Sequence, residues 1–427
     1  MTRFNELSAS EAVKLIATGE ITVEDLVRDC LARIEEREPD VGAWEFIDPE
    51  LALKQARERD RLPSRGPLHG IPVGIKDIFE TADMPTAYGS PIYRGNRPRA
   101  DASAVALIRA AGAVIMGKTV TAEFGAMYPG KTVNPHNAAH TPGGSSSGSA
   151  AAVGDFMVPV TFAAQTAGSL IRPAAFCGVI GYKPSYGTFN QAGLKVQAQS
   201  LDTMGLIARS LDDIELFSAV LTSRTPPTVS QLHERAPKIG ICRTHLWSEV
   251  EASTAEAMED AATRLAAAGA SVVDVDLPAS FAALTEAHIK VLMFEGVRSM
   301  AYEWNFHREQ LSDMLQGILQ ASEECSFEDY ITALALGEAC RAQMSEIFKD
   351  FDVLLAPSAA GEAPLGLGST GDARHQTMWT FLHVPCVTLP THVGRNGLPV
   401  GVLLVGPLRG DDALLATARW VEERLTT

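Results

Sequence analysis

Short apolar runs, separated by stretches of helical periodicity, recur along most of this chain, and that alternation restricts its fold more than any other feature. Apolar strands are expected at residues 113–117, 157–162, 178–182, 238–242, 271–276, 352–356, 385–390 and 399–405, with a glycine-punctuated strand signal across 68–79. Helical spacing predicts helices over 50–61 (exposed), 102–111, 211–222, 254–269, 283–302, 328–348 and 411–425. Near the start, Ser8-Ala9-Ser10-Glu11 and Thr22-Val23-Glu24-Asp25 have the spacing of capping boxes, so each opens a helix. Strands alternating with helices predict an α/β fold: a single large domain whose central, mostly parallel or mixed sheet is covered on both faces by α-helices. With 427 residues, 46% of them apolar, there is ample material for such a core. The N-terminal helices then occupy about 8–60, a middle segment about 68–215, and the rest of the sheet with its covering helices about 236–427. Thr225-Pro226-Pro227-Thr228 is the clearest punctuation, and fits either a domain boundary or one loop of a large domain.

Charge narrows the function classes. Lys and Arg total 36 against 52 Asp and Glu, a net charge of −16. A surface that acidic repels phosphate backbones and anionic lipid, so neither nucleic acid nor membrane is expected as a partner. The six cysteines form no CxxC pair and most sit in apolar runs, which predicts buried, reduced thiols in a cytoplasmic protein. The first dozen residues are polar, without a secretory apolar core, and no apolar run reaches bilayer length.

Two glycine–serine turns carry the chemistry. The first, Thr141-Pro142-Gly143-Gly144-Ser145-Ser146-Ser147-Gly148-Ser149, runs straight into an alanine-rich helix. A flexible linker, a phosphate cradle and a nucleophile elbow centred on Ser146 are all compatible with its composition. No Gly-Lys-Ser/Thr closes it as a P-loop requires, and no strand leads into it as an elbow requires. The second, Gln165-Thr166-Ala167-Gly168-Ser169, does follow an apolar strand, and its small residues let backbone N–H groups crowd around one point. Upstream stands Lys76, which either snorkels to water from its strand end or is buried and held as a neutral amine.

These residues resemble the amidase signature family. The resemblance rests on Lys76 in Gly74-Ile75-Lys76-Asp77, the Gly-Gly-Ser-Ser-Ser-Gly-Ser-Ala loop, Thr166-Ala167-Gly168-Ser169, Phe176-Cys177-Gly178 and Gly181-Tyr182-Lys183-Pro184. Ser200-Leu201-Asp202-Thr203-Met204-Gly205 and Gly397-Leu398-Pro399-Val400-Gly401-Val402 extend it over essentially the whole chain. It implies the amidase-signature fold and cleavage of a small carboxylic amide through an acyl-enzyme, with release of ammonia or an amine. Ser169 is then the nucleophile, Ser145 the bridging serine behind a cis peptide, and Lys76 the base. The backbone N–H groups of Thr166, Ala167, Gly168 and Ser169 form the oxyanion hole. Neither cofactor nor metal is needed; His136 and His140, four apart, stand in a proline-flanked loop rather than at a zinc site.

Within the family the sequence looks closest to bacterial malonamidases, where an arginine three residues after the nucleophile grips a substrate carboxylate. Arg172 occupies that position, as a clamp or as a structural ion pair. Gln165 and Ala167 depart from the common Asp-Thr-Gly-Gly-Ser turn without removing a backbone donor. Gly125, Ala126, Met127 and Tyr128 are expected along one pocket wall, where Met127 and Tyr128 favour an apolar or aryl acyl group over a malonamate-like anion. Trp379 and Phe381 either extend that wall or belong to the core. Three readings follow: a free-standing amidase, possible as a homodimer; an amidotransferase subunit forming transfer-RNA-linked amides; or a noncatalytic binding protein on the same scaffold.

Overall fold

Eleven strands among the described residues pair into one continuous sheet. In chain order they are β1 (Trp44–Ile47), β2 (Pro72–Lys76), β3 (Val114–Thr119), β4 (Val160–Gln165), β5 (Ile180–Lys183), β6 (Thr203–Ala208), β7 (Lys238–Ile241), β8 (Ser271–Asp274), β9 (Val353–Pro357), β10 (Cys386–Val393) and β11 (Pro399–Val405). Across the sheet the order is β1-β3-β2-β4-β6-β5-β10-β11-β9-β7-β8. The trio β3, β2 and β4 is parallel, as is β9, β7 and β8, while the strands between them pair antiparallel. The computed structural model describes residues 3–63, 66–224 and 236–425.

Every residue of β2, β3, β4, β5, β6 and β9 is buried. Burial of both alternating side-chain sets requires cover on both faces of the sheet, which explains why these runs read as continuous apolar stretches. The expected mixed α/β architecture is therefore the one observed, a single domain with helices flanking a large sheet. Both capping boxes form, opening the helices Ala9–Thr18 and Val23–Val41. All six cysteines are free, and five are buried; Cys325 is partly exposed.

Some boundaries differ from expectation. The strand signal across 68–79 condenses to Pro72–Lys76, because residues 77–79 turn away: Ile78 and Phe79 both donate backbone bonds to Lys76 O. The helix over 50–61 is Pro49–Asp60, and Ala52, Leu53 and Ala56 bury one side of what reads as an exposed segment. The helix over 283–302 breaks at Met300 into Leu284–Ser299 and Ala301–Phe306. Thr225 to Thr228 lie outside the described residues. No helix among the described residues is long and apolar enough to cross a membrane.

The topology gathers the chemistry at one edge of the sheet. β2 and β4 run parallel and neighbouring, so Lys76 and Gln165 sit at the same ends of adjacent strands, and antiparallel β6 begins there, with Thr203 opposite Gln165. The helix Ser147–Gly154 starts above that edge. Its Ser149 hydroxyl bonds Thr119 Oγ1 at 2.7 Å and donates to Phe162 O at 2.8 Å. Gly148 makes this approach possible: a Cβ there would stand 2.2 Å from Ala43 O and 2.4 Å from Val120 N.

Candidate active site

Lys76 is 1% exposed at the end of β2, and its Nζ donates to Ser145 Oγ at 2.8 Å. Removing an ammonium from water disfavours its charge, and burial lowers the Lys76 pKa to about 7, partly offset by the negative charge of Asp202. Asp77, next in the chain, faces away and pairs with Lys118 on β3, whose Nζ lies 2.9 Å from Asp77 Oδ1. Lys118 Nζ also donates to Phe79 O and Thr86 Oγ1. Of two neighbouring buried lysines, then, one is paired with a carboxylate and the other with a hydroxyl.

Ser145 follows a cis peptide from Gly144. One residue on, Ser146 donates its backbone N–H to Ser169 O at 3.1 Å, stitching the first serine turn to the second. Ser146 Oγ is spent on Ala164 O at 3.3 Å and the residue is fully buried, so the serine that best fits the elbow pattern has no access to a ligand. Ser169 keeps 8% exposure, and its hydroxyl has no hydrogen-bond partner among the described residues.

The turn Thr166–Ser169 is held by its carbonyls. Thr166 O accepts from His288 Nε2 at 2.8 Å, Ala167 O from Thr380 Oγ1 at 2.8 Å, Gly168 O from Arg172 N at 3.2 Å and Ser169 O from Ser146 N. None of the four N–H groups donates to a loop or side-chain acceptor among the described residues. A backbone pinned through its oxygens leaves its donors available, which is the arrangement an oxyanion site needs. Gln165, at the end of β4, anchors the segment beyond the turn: its Oε1 accepts from Leu170 N and Ile171 N, each at 3.0 Å, at the start of the helix Ile171–Phe176. Its Nε2 reaches Thr380 Oγ1 at 3.0 Å.

Arg172 lies under the turn, 3% exposed. Its guanidinium donates to Gly144 O at 2.6 Å, Thr370 Oγ1 at 3.1 Å and Gly371 O at 2.9 Å, and burial lowers its pKa to about 10, so it stays charged at neutral pH. The structure therefore brings Arg172 to the backbone that carries Ser145 rather than into open space. Gly125 lies beside Ser145: a Cβ built on it would come 3.7 Å from Ser145 Oγ, and its φ of +72° suits glycine. Ala126 is buried, while Met127 and Tyr128 are 58% and 49% exposed. Trp379 and Phe381 are wholly buried. Phe381 meets the His288 ring edge-on and abuts Gly337, a core role.

The amidase family model matches residues 25–415. The chain belongs to the amidase family. Among curated proteins it is 31% identical to the A subunit of glutamyl-tRNA(Gln) amidotransferase from Chloroflexus aggregans, over 99% of each chain. That alignment spans 487 positions against 427 residues here, so the relative carries insertions. Among solved structures, a protein described as an amidase matches with TM-score 0.90 and 29% identity, over 98% of this chain and all of that one. The native peptide amidase of Stenotrophomonas maltophilia matches with TM-score 0.83 and 28% identity, over 98% and 97%. The curated relatives that match from end to end are amidotransferase A subunits, so the finer likeness to malonamidases is not confirmed.

Several residues of the candidate site were not legible as such in the sequence. His288 and Thr380 come from helices far along the chain, and nothing local marks them. Asp202 stood inside a recognised motif with no role attached. Lys118 falls one residue beyond the strand expected at 113–117, although a lysine between Gly117 and Thr119 at the end of an apolar run is a signal of buried charge.

Proposed function

We propose that this chain cleaves the C–N bond of a small amide through an acyl-enzyme on Ser169. The observation that carries the proposal is the buried Lys76 amine hydrogen-bonded to Ser145, near a turn whose N–H groups meet no loop or side-chain acceptor among the described residues; burial lowers the amine's pKa to about 7. Neutral Lys76 takes a proton through Ser145, Ser169 Oγ attacks the amide carbonyl, and the N–H groups of Thr166 to Ser169 receive the developing oxyanion. The proton then passes to the departing nitrogen, and water or another acceptor resolves the acyl group. Arg172 acts as a brace for the Gly144 carbonyl, Gly125 and Ala126 flank Ser145, and Met127 and Tyr128 form the rim where acyl groups are sorted.

Two fates of the released ammonia divide the readings. The curated relatives, about 30% identical from end to end, favour a subunit that passes ammonia on to transfer-RNA-linked substrates. The peptide amidase and amidase structures support free hydrolysis instead, in line with the acidic surface. Ammonia release is the test, with the purified chain given glutamine and a panel of aliphatic, aryl and malonamate-type amides. Turnover by the chain alone supports the hydrolase. Turnover that appears only with glutamyl-tRNA and the other amidotransferase chains supports the transferase, and no amide cleavage in either setting overturns the proposal.

A further inference from the structure

Asp202 is a buried carboxylate in the turn that leads into β6. Its Oδ1 accepts from Thr166 Oγ1 at 2.6 Å, and its Oδ2 accepts from the backbone N–H groups of Gln197 at 2.7 Å and Ala198 at 3.2 Å. Thr166 is the first residue of the turn that presents Ser169, and its carbonyl is fixed separately by His288 Nε2. One residue is thereby gripped at both its hydroxyl and its carbonyl. Register places Asp202 at the same end of the sheet as the lysine, with β4 between them. It precedes Thr203, which pairs with Gln165 on β4, and β4 pairs with β2, which ends at Lys76. The two charges flank the end of one strand.

We propose that Asp202 is a positioning residue with two effects: its carboxylate tethers the Thr166–Ser169 turn, and its negative charge, facing Lys76 across the end of β4, governs how readily that amine gains and loses its proton. This deepens the proposed amidase function and rests on Lys76 being the base.

The surrounding charges leave Asp202 that influence. Among the described residues, Asp202 is the charged group that acts on Lys76 against burial, since Asp77 is turned to Lys118. Around Asp202, among the described residues, the titratable neighbours are Lys76, the Tyr186 phenol, His288 through Thr166, and Glu295 and His383, which both bond Ser200 in the same turn. Burial holds the His288 pKa down to about 4, so that ring stays neutral in the working range. Burial raises the Asp202 pKa to about 6 against the pull of its three donors and Lys76, so at neutral pH it is mostly ionised. An amine beside that charge holds its proton more tightly than burial alone would allow.

Asp202→Asn removes the charge and keeps the shape. The amide oxygen can accept from Gln197 and Ala198, and the amide N–H can donate to Thr166 Oγ1, whose hydroxyl serves as donor or acceptor. With Lys76 near 7, the wild-type rate should fall about tenfold between pH 8 and pH 6 as the amine protonates. In Asp202→Asn the acid limb should move to lower pH and that fall should shrink, while the plateau drops because a weaker base is a poorer catalyst. A variant with the same pH 6 to pH 8 ratio as wild type, whatever its plateau, overturns the proposal. Should turnover be too slow to follow, the rate of fluorophosphonate labelling of Ser169 gives the same profile. Asp202→Glu, which retains the charge, should keep the limb near its wild-type position even with a displaced turn, and a shift as large as that of Asp202→Asn would likewise refute the charge effect. Failure of the amidase reading itself looks different: wild type would show no acid limb at all, or Lys76→Ala would keep its rate.

Discussion

Replacing Arg172 with alanine separates the two roles its position suggests. The guanidinium makes three hydrogen bonds, to Gly144 O, Thr370 Oγ1 and Gly371 O. Bonds from a charged donor contribute about 1.5–3 kcal/mol each, and in the variant the buried carbonyls lose their partner. Against that stands the cost of holding the cation out of water. The drop in its pKa from 12.5 to about 10 corresponds to roughly 3 kcal/mol that deletion recovers. The balance is a net loss of about 1.5–6 kcal/mol of folding stability. Because Gly144 carries Ser145, kcat should fall for every amide alike, with little selectivity for anionic substrates. Urea unfolding with an unchanged slope reads the first quantity, and paired rates on malonamate-type and neutral amides read the second. A variant within about 0.5 kcal/mol of wild type that loses rate only on carboxylate-bearing amides would show that Arg172 binds substrate, and would refute the brace.

Three further outcomes follow from the buried titratable groups. Lys118→Met leaves Asp77 buried without its partner and should cost about 3–5 kcal/mol in denaturant unfolding, whereas Asp77→Leu combined with Lys118→Met should recover most of that loss. Lys76 has its folded pKa lowered from 10.5 to about 7, so the unfolded chain binds the extra proton between those values, and wild-type stability should rise with pH across that window and level off below it. Lys76→Met should be inactive yet more stable at pH 7, with that rise removed, as pH-dependent unfolding would reveal. His288→Leu removes the donor to Thr166 O and should lower kcat about tenfold with KM nearly unchanged, which steady-state kinetics on one small amide would check.

Much of the fold was readable because its central strands are covered on both sides and so appear as unbroken apolar runs. The elements that escaped did so for physical reasons. β6, Thr203–Ala208, contains Gly205, whose Cβ would stand 2.2 Å from Tyr182 O, and a strand with a glycine at its tightest point looks like a turn. The helix Arg374–Phe381 is polar in composition, yet seven of its eight residues are buried because it packs against the Ser169 turn instead of facing water. β1, Trp44–Ile47, is a short edge strand carrying Glu45, with too few residues to show a period. At the site, local sequence marked the groups whose neighbours in the chain are also neighbours in space: Ser145 with its glycines, Ser169 with its turn. Lys76 was recognisable only with those, and the partners that hold Thr166 and Ala167 in place, with the Thr370 that anchors Arg172, come from residues 200 to 380, where only the folded sheet brings them together.

The central claim is that Ser169 is the nucleophile and Lys76 its base. Treating the folded protein with a fluorophosphonate at pH 8 and mapping the modified peptide tests it most directly. The account predicts a single adduct on Ser169, formed far more slowly in Lys76→Ala and Ser145→Ala. An adduct on Ser146, or labelling of Ser169 at an undiminished rate without Lys76, would contradict it.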